Sequence, residues 1–155
     1  MNDLNESIKQ HGIGRDMVEN IVIDMDGVLT DFYRCRERCI YSNYPMNIND
    51  LKRDQCPLVR HAWSALRALR RAGFGIILWT GRVEAERKVT EKWLAEHDFP
   101  YDKLIMDKPR AVMYIDDFGY HFKNWDDAVQ EITKRYPHVM GESLLRNYKH
   151  FKLED

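Results

Sequence analysis

Ile21-Val22-Ile23-Asp24-Met25-Asp26-Gly27-Val28-Leu29-Thr30 decides how this chain is read. A β-branched run followed by glycine reads as a buried strand and the loop leaving its C-terminal end. Two aspartates stand in that loop, one residue apart. No structural need places them so close, and their mutual repulsion calls for a cation, most simply a hard divalent metal. Open α/β sheets hold ligands beyond the carboxyl ends of their strands, which is where this pair falls.

Outward from this stretch the chain alternates. Leu58, Ala62, Leu66, Leu69 and Ala72 recur at helical steps after Pro57, which suits a first helical turn, and Gly73 closes the helix. Phe74-Gly75-Ile76-Ile77-Leu78-Trp79 reads as a second buried strand ending at Thr80-Gly81-Arg82. A charged helix is predicted over about 83–97, with Val89, Trp93 and Leu94 inward and Glu84 spaced to pair with Lys88. Leu104–Met106 and Ala111–Ile115 read as two further short strands. Asn124 is placed to cap a helix over about 125–135 carrying Ala128, Val129 and Ile132. The expected fold is α/β, a Rossmann-like three-layer sandwich with a mainly parallel central sheet. It forms one domain with a core over about 20–136, a polar N-terminal arm, an insertion over about 31–57 after strand one, and a polar tail, 137–155, with no assigned structure.

Composition bounds the function. A chain of 155 residues with 44% apolar and 32% charged residues builds one globular domain with a real core. A net charge of −1 gives no electrostatic argument for general binding to nucleic acid or membrane. No stretch has the apolar length of a membrane span, and the polar start Met1-Asn2-Asp3-Leu4-Asn5-Glu6 does not read as a signal peptide. Three cysteines make an odd count, which argues against a closed disulfide framework and for a reducing cytoplasm.

Polar groups gather at the strand ends: Asp24 and Asp26, Thr80, Lys108, and Asp116-Asp117. In a parallel sheet such ends converge on one edge. Carboxylates, one hydroxyl and one ammonium suit phosphoryl transfer. Mg²⁺ takes one or two carboxylates plus waters and substrate oxygens. A carboxylate can attack phosphorus, and a second can move the proton. Lysine and a hydroxyl can bind the remaining phosphoryl oxygens.

These residues resemble the four motifs of the haloacid dehalogenase superfamily of phosphatases and phosphotransferases. Asp24-Met25-Asp26-Gly27-Val28 is similar to the first, Leu78-Trp79-Thr80-Gly81-Arg82 to the second, Lys108-Pro109 to the third, and Tyr114-Ile115-Asp116-Asp117 to the fourth. They occur in the family's order across residues 20–120. The resemblance implies that Asp24 is the nucleophile and a metal ligand. It makes Asp26 the general acid/base, with its backbone carbonyl on the metal. Thr80 binds the phosphoryl group and Lys108 bridges it to the nucleophile. Asp116 ligates Mg²⁺, with Asp117 a ligand or a support for one. Aspartate at position 26, where a nonpolar residue would suit a dehalogenase, implies a phosphatase. Lys103 competes with Lys108 for the third motif; Pro109 and the strand that follows favour Lys108. Only residues 31–57 are available as a cap, which resembles the cap-poor members with open sites.

Weaker signals keep two readings. Gly81 and Arg82 contact the substrate, or Arg82 only solvates the start of its helix. Cys35, Cys39, Cys56 and His61 lack the common zinc spacing, and reduced packing thiols are preferred. Arg34, Arg36 and Arg38 face a phosphorylated substrate or form a solvated loop. Trp63, Trp79 and Trp93 are read as core, and His121 and Trp125 as structural residues or part of the rim. The function expected is Mg²⁺-dependent hydrolysis of a small phosphate monoester, such as a nucleotide or sugar phosphate. A polynucleotide end phosphatase is the alternative within that chemistry, although near-neutral charge does not favour nucleic acid as partner. From another class, a phospho-acceptor signalling domain uses the same residue types, but its lysine follows its acidic residues rather than preceding them.

Overall fold

Strand β1 (Asn20–Ile23) sets the frame, because its β-branched side chains leave it little choice but extended backbone. It pairs in parallel with β2 (Gly75–Trp79), Ile21 opposite Ile76 and Ile23 opposite Leu78. Strand β2 pairs in parallel with β3 (Lys103–Ile105), Leu78 opposite Leu104. This computed structural model describes residues 19–31 and 56–154. Among them the fold is α/β, a three-stranded parallel sheet in the order β1-β2-β3 with four α-helices, as in a Rossmann-like sandwich. The N-terminal arm through residue 18, and residues 32–55 of the expected insertion with Arg34, Arg36, Arg38, Cys35 and Cys39, lie outside the described residues.

Helix α1 (Ala62–Arg71) buries Ala62, Ala65, Leu66, Ala68 and Leu69, the expected face. It starts later than Pro57 suggests. Residues 57–59 are instead taken up by the first loop: Asp31 N–H donates to the Pro57 carbonyl at 2.8 Å, and Val59 N–H to that of Leu29 at 2.8 Å. Gly73, at φ +97°, ends the helix as expected, in a conformation glycine adopts without strain. A 3₁₀ turn, Glu84–Glu86, leads into α2 (Arg87–Glu96), whose Trp93 and Leu94 are buried. Glu84 pairs with Arg87 rather than Lys88, because side chains three apart eclipse in a 3₁₀ turn. The carboxyl of Glu84 is thereby held below its ordinary range, chiefly by the Arg87 hydrogen bond.

Helix α3 (Trp125–Arg135) is capped as expected, Asn124 Oδ1 accepting from Asp127 N–H at 2.8 Å. The unassigned tail forms a fourth helix, α4 (Pro137–Phe151), which packs against α1 and α3 and buries Leu144 and Tyr148. Lys152 Nζ (2.6 Å) and Tyr148 Oη (3.3 Å) both donate to Asp126 Oδ1, fastening the chain after α4 to the start of α3.

Two further expectations change. Ala111–Ile115 is no strand: every residue from Ala111 to Tyr120 is exposed, with Val112 and Ile115 almost wholly so. Only residues 106–110 separate β3 from Ala111, whereas a parallel crossover takes a dozen or more. Cys56 is disulfide-bonded, not a reduced thiol. A sulfur so engaged is no thiolate donor, which also removes it from the imagined zinc set. No described helix is long and apolar enough to cross a membrane.

Candidate active site

The loop after β1 is a tight turn folded on one carbonyl. Val28, Leu29 and Thr30 N–H all donate to the Met25 carbonyl, at 3.1, 2.8 and 3.0 Å. Gly27 N–H returns to the Thr30 carbonyl at 2.8 Å, with φ +94°. A Cβ at Gly27 would meet nothing, so glycine is needed there for its backbone and not for space. Trp125 Nε1 donates to the Val28 carbonyl at 3.0 Å and ties α3 to this turn. Met25 and Leu29 sink into the core, which leaves Asp24 and Asp26 at the surface of the strand's end.

Two side chains hold Asp26 through three hydrogen bonds. Thr30 Oγ1 donates to its Oδ1 at 2.8 Å. Arg82 donates from Nη2 to Oδ1 at 2.7 Å and from Nε to Oδ2 at 3.1 Å, a two-pronged contact of the kind a guanidinium favours. The Arg82 side chain is wholly buried, and its Nη1 also donates to Thr90 Oγ1 on α2 at 3.1 Å. Arg82, buried, is thus no solvated helix start. It is the internal counter-charge of Asp26, a role its place in a loop did not reveal.

Thr80 is fully buried at the end of β2, its Oγ1 accepting from Arg82 N–H at 3.2 Å. Its main chain carries the next element: Thr80 N–H donates to the Ile105 carbonyl at 2.9 Å, and Lys108 N–H to the Thr80 carbonyl at 2.9 Å. Asp107, at φ +57°, donates to the Arg82 carbonyl at 2.8 Å. These bonds aim Lys108 back across the strand ends, where its Nζ lies 3.4 Å from Asp24 Oδ2. The Lys108 carbonyl also passes close to Gly81. Lys103 opens β3 and is exposed, so of the two candidate lysines it is Lys108 that meets Asp24.

Asp24, Asp26, Thr80, Gly81, Arg82 and Lys108 therefore share one corner. Asp116 and Asp117 ride on the exposed segment, where Asp116 Oδ1 accepts from Phe118 N–H at 2.7 Å. Among the described residues no group of three or more His, Cys, Asp or Glu side chains is placed to hold a metal ion. Asp24 faces an ammonium and Asp26 a guanidinium, so the set as arranged does not complete a divalent site. Trp79 is half-buried rather than core, and sits beside Lys108. His121 is exposed, and Trp125 is buried.

No family model matches the chain, and no curated protein matches it. Among solved structures it is similar to a structural-genomics target from Vibrio cholerae, with 17% identity, 86% of this chain and 98% of that one covered, and a TM-score of 0.49. It is also similar to a chain of a Pnkp1/Rnl/Hen1 complex, with 25% identity, coverage of 65% and 32%, and a TM-score of 0.45. A chain of the Pnkp1/Rnl/Hen1 RNA repair complex gives 23% identity, 83% and 35%, and 0.44. This chain spans about a third of the length of the last two. Likenesses this distant carry no argument about activity.

Proposed function

We propose that this protein is a Mg²⁺-dependent phosphomonoester hydrolase of the haloacid dehalogenase type, acting through an aspartyl-phosphate on a small phosphorylated metabolite. One observation carries the reading: the Asp24 carboxylate lies 3.4 Å from the Lys108 ammonium, in the same corner as a clamped second aspartate and a buried threonine.

An Asp24 oxygen attacks phosphorus; the O–P bond forms as the ester P–O bond breaks, and the leaving oxygen takes a proton from Asp26. Water then attacks phosphorus and gives a proton to Asp26. The Asp24–phosphorus bond breaks, releasing inorganic phosphate. Lys108 offsets charge on the phosphoryl oxygens, with Thr80 and Gly81 beside it. Both Asp26 oxygens are engaged by Arg82 and Thr30, so each proton transfer requires one of these contacts to loosen. Mg²⁺ is proposed from the donor chemistry of the carboxylates. As the resemblance implies, Asp24, the Asp26 carbonyl, Asp116 and Asp117 would hold it, which requires the exposed Asp116–Asp117 segment to meet the Asp24 corner, and when bound it would supply further positive charge against the phosphoryl group.

The test is hydrolysis of p-nitrophenyl phosphate. Turnover is expected with Mg²⁺, to fall to the uncatalysed rate in Asp24→Asn and to stop on adding EDTA. Turnover that survives either change rejects the mechanism.

A further inference from the structure

Lys108 is bounded by rings as well as by Asp24. Its ammonium lies 5.1 Å from the Trp79 ring centroid and 4.7 Å from that of Tyr114. The two rings are 6.1 Å apart and inclined at 59°. Trp79 is the last residue of β2, fixed by the sheet. The Tyr114 hydroxyl donates to the Pro109 carbonyl, which pins that ring, yet Tyr114 keeps about half of its surface exposed at 51%. The phosphoryl-transfer steps use neither ring.

A cation over two rings gains from their quadrupoles, and that alone would steady Lys108. The same arrangement has a second consequence. Flat π faces border the ammonium assigned to the phosphoryl group, one of them open to solvent. A sugar phosphate presents hydroxyl groups, which call for polar partners. A nucleotide holds a flat base one sugar away from its phosphate, and bases stack on aromatic side chains with little regard to sequence.

We propose that Trp79 and Tyr114 form a stacking platform for a nucleobase, so that the substrate class is a nucleotide-borne phosphate. The proposal rests on the phosphatase reading of the Asp24 corner. In binding, the Lys108 ammonium turns to the phosphoryl oxygens and the base takes the vacated ring face.

The experiment is calorimetric binding to the full-length Asp24→Asn protein, which cannot turn substrate over. Adenosine 5′-monophosphate is expected to bind at least about tenfold more tightly than ribose 5-phosphate, within the range of one stacked base. Tyr114→Ala in the same background should remove most of that ratio, and Tyr114→Phe, which keeps the ring, should retain it. Equal binding of the two ligands, a ratio untouched by Tyr114→Ala, or no nucleotide binding at millimolar concentration overturns the platform. Wild-type turnover of p-nitrophenyl phosphate reports on the chemistry separately. Turnover without base preference removes the platform alone, and base preference without turnover removes the hydrolase reading alone.

Discussion

Two parts of the molecule carry the same device, an apolar run leading into two acidic residues. Ile21–Ile23 leads into Asp24 and Asp26; Ala111–Ile115 leads into Asp116 and Asp117. The first run is hydrogen-bonded to β2, its turn is closed on the Met25 carbonyl, and its second aspartate is gripped by a buried arginine. The second run pairs with no strand and is exposed, with Tyr114 alone set against Trp79 and Lys108, and Asp116 caps only its own turn. An apolar stretch therefore does not by itself position the carboxylates that follow it. Position comes from a strand to pair with and from side chains such as Arg82 and Thr30 that reach in from other elements.

That contrast can be broken in four ways. The largest effect expected is on turnover. If Asp116 joins the reaction as proposed, Asp116→Asn lowers hydrolysis of p-nitrophenyl phosphate about 10–100-fold with no change in Tm, as suits loss of a cation partner from an exposed site. Unchanged turnover would confine the chemistry to the Asp24–Lys108 corner. Next, Arg82→Met leaves Asp26 without its buried counter-charge and should cost about 3 kcal/mol in urea unfolding. A loss below about 1 kcal/mol would mean that Asp26 is held without it. Third, Leu78→Ala, in the core, should cost about 2–5 kcal/mol, whereas Ile115→Ala should stay within about 0.5 kcal/mol. Comparable losses would show that the second run is packed. The smallest effect concerns acid. The Lys152 hydrogen bond holds the Asp126 carboxyl below its ordinary 3.8. Its stabilisation is present above that value and lost as pH falls from there through the lower folded value. Lys152→Met should therefore lose less stability than wild type over that acid range. The difference is small because Asp126 is nearly half exposed, and equal acid slopes would discount the contact.

Much of the sheet was legible in the sequence. Periodic apolar residues located α1 and the inner face of α2, Asn124 marked the start of α3, and the runs ending at Asp24 and Thr80 located two strand ends. The run ending at Asp116 misled because an apolar stretch of that length is read without asking how the chain returns to the sheet. Five intervening residues were there to be counted. Helix α4 was missed although Pro137 opens it and Leu144, Leu145, Tyr148 and Phe151 recur at helical steps, since the many polar residues between them masked the stripe. In the site, Lys108 was chosen over Lys103 from the neighbouring proline, and the structure places it at Asp24. Arg82 was legible as a residue but not in its role. Nothing local shows that a guanidinium after a strand will turn inward, and the buried Thr90 that receives it lies eight positions on.

The indole of Trp125 reaches the Val28 carbonyl, so the loop bearing Asp24 has one of its anchors more than ninety residues downstream. Helix α3, which supplies that indole, is itself latched at Asp126 by Tyr148 and Lys152 from the far end of the chain. The Asp24 loop is thus joined to the last helix of the chain through two hydrogen-bonded links, neither of which touches the corner itself.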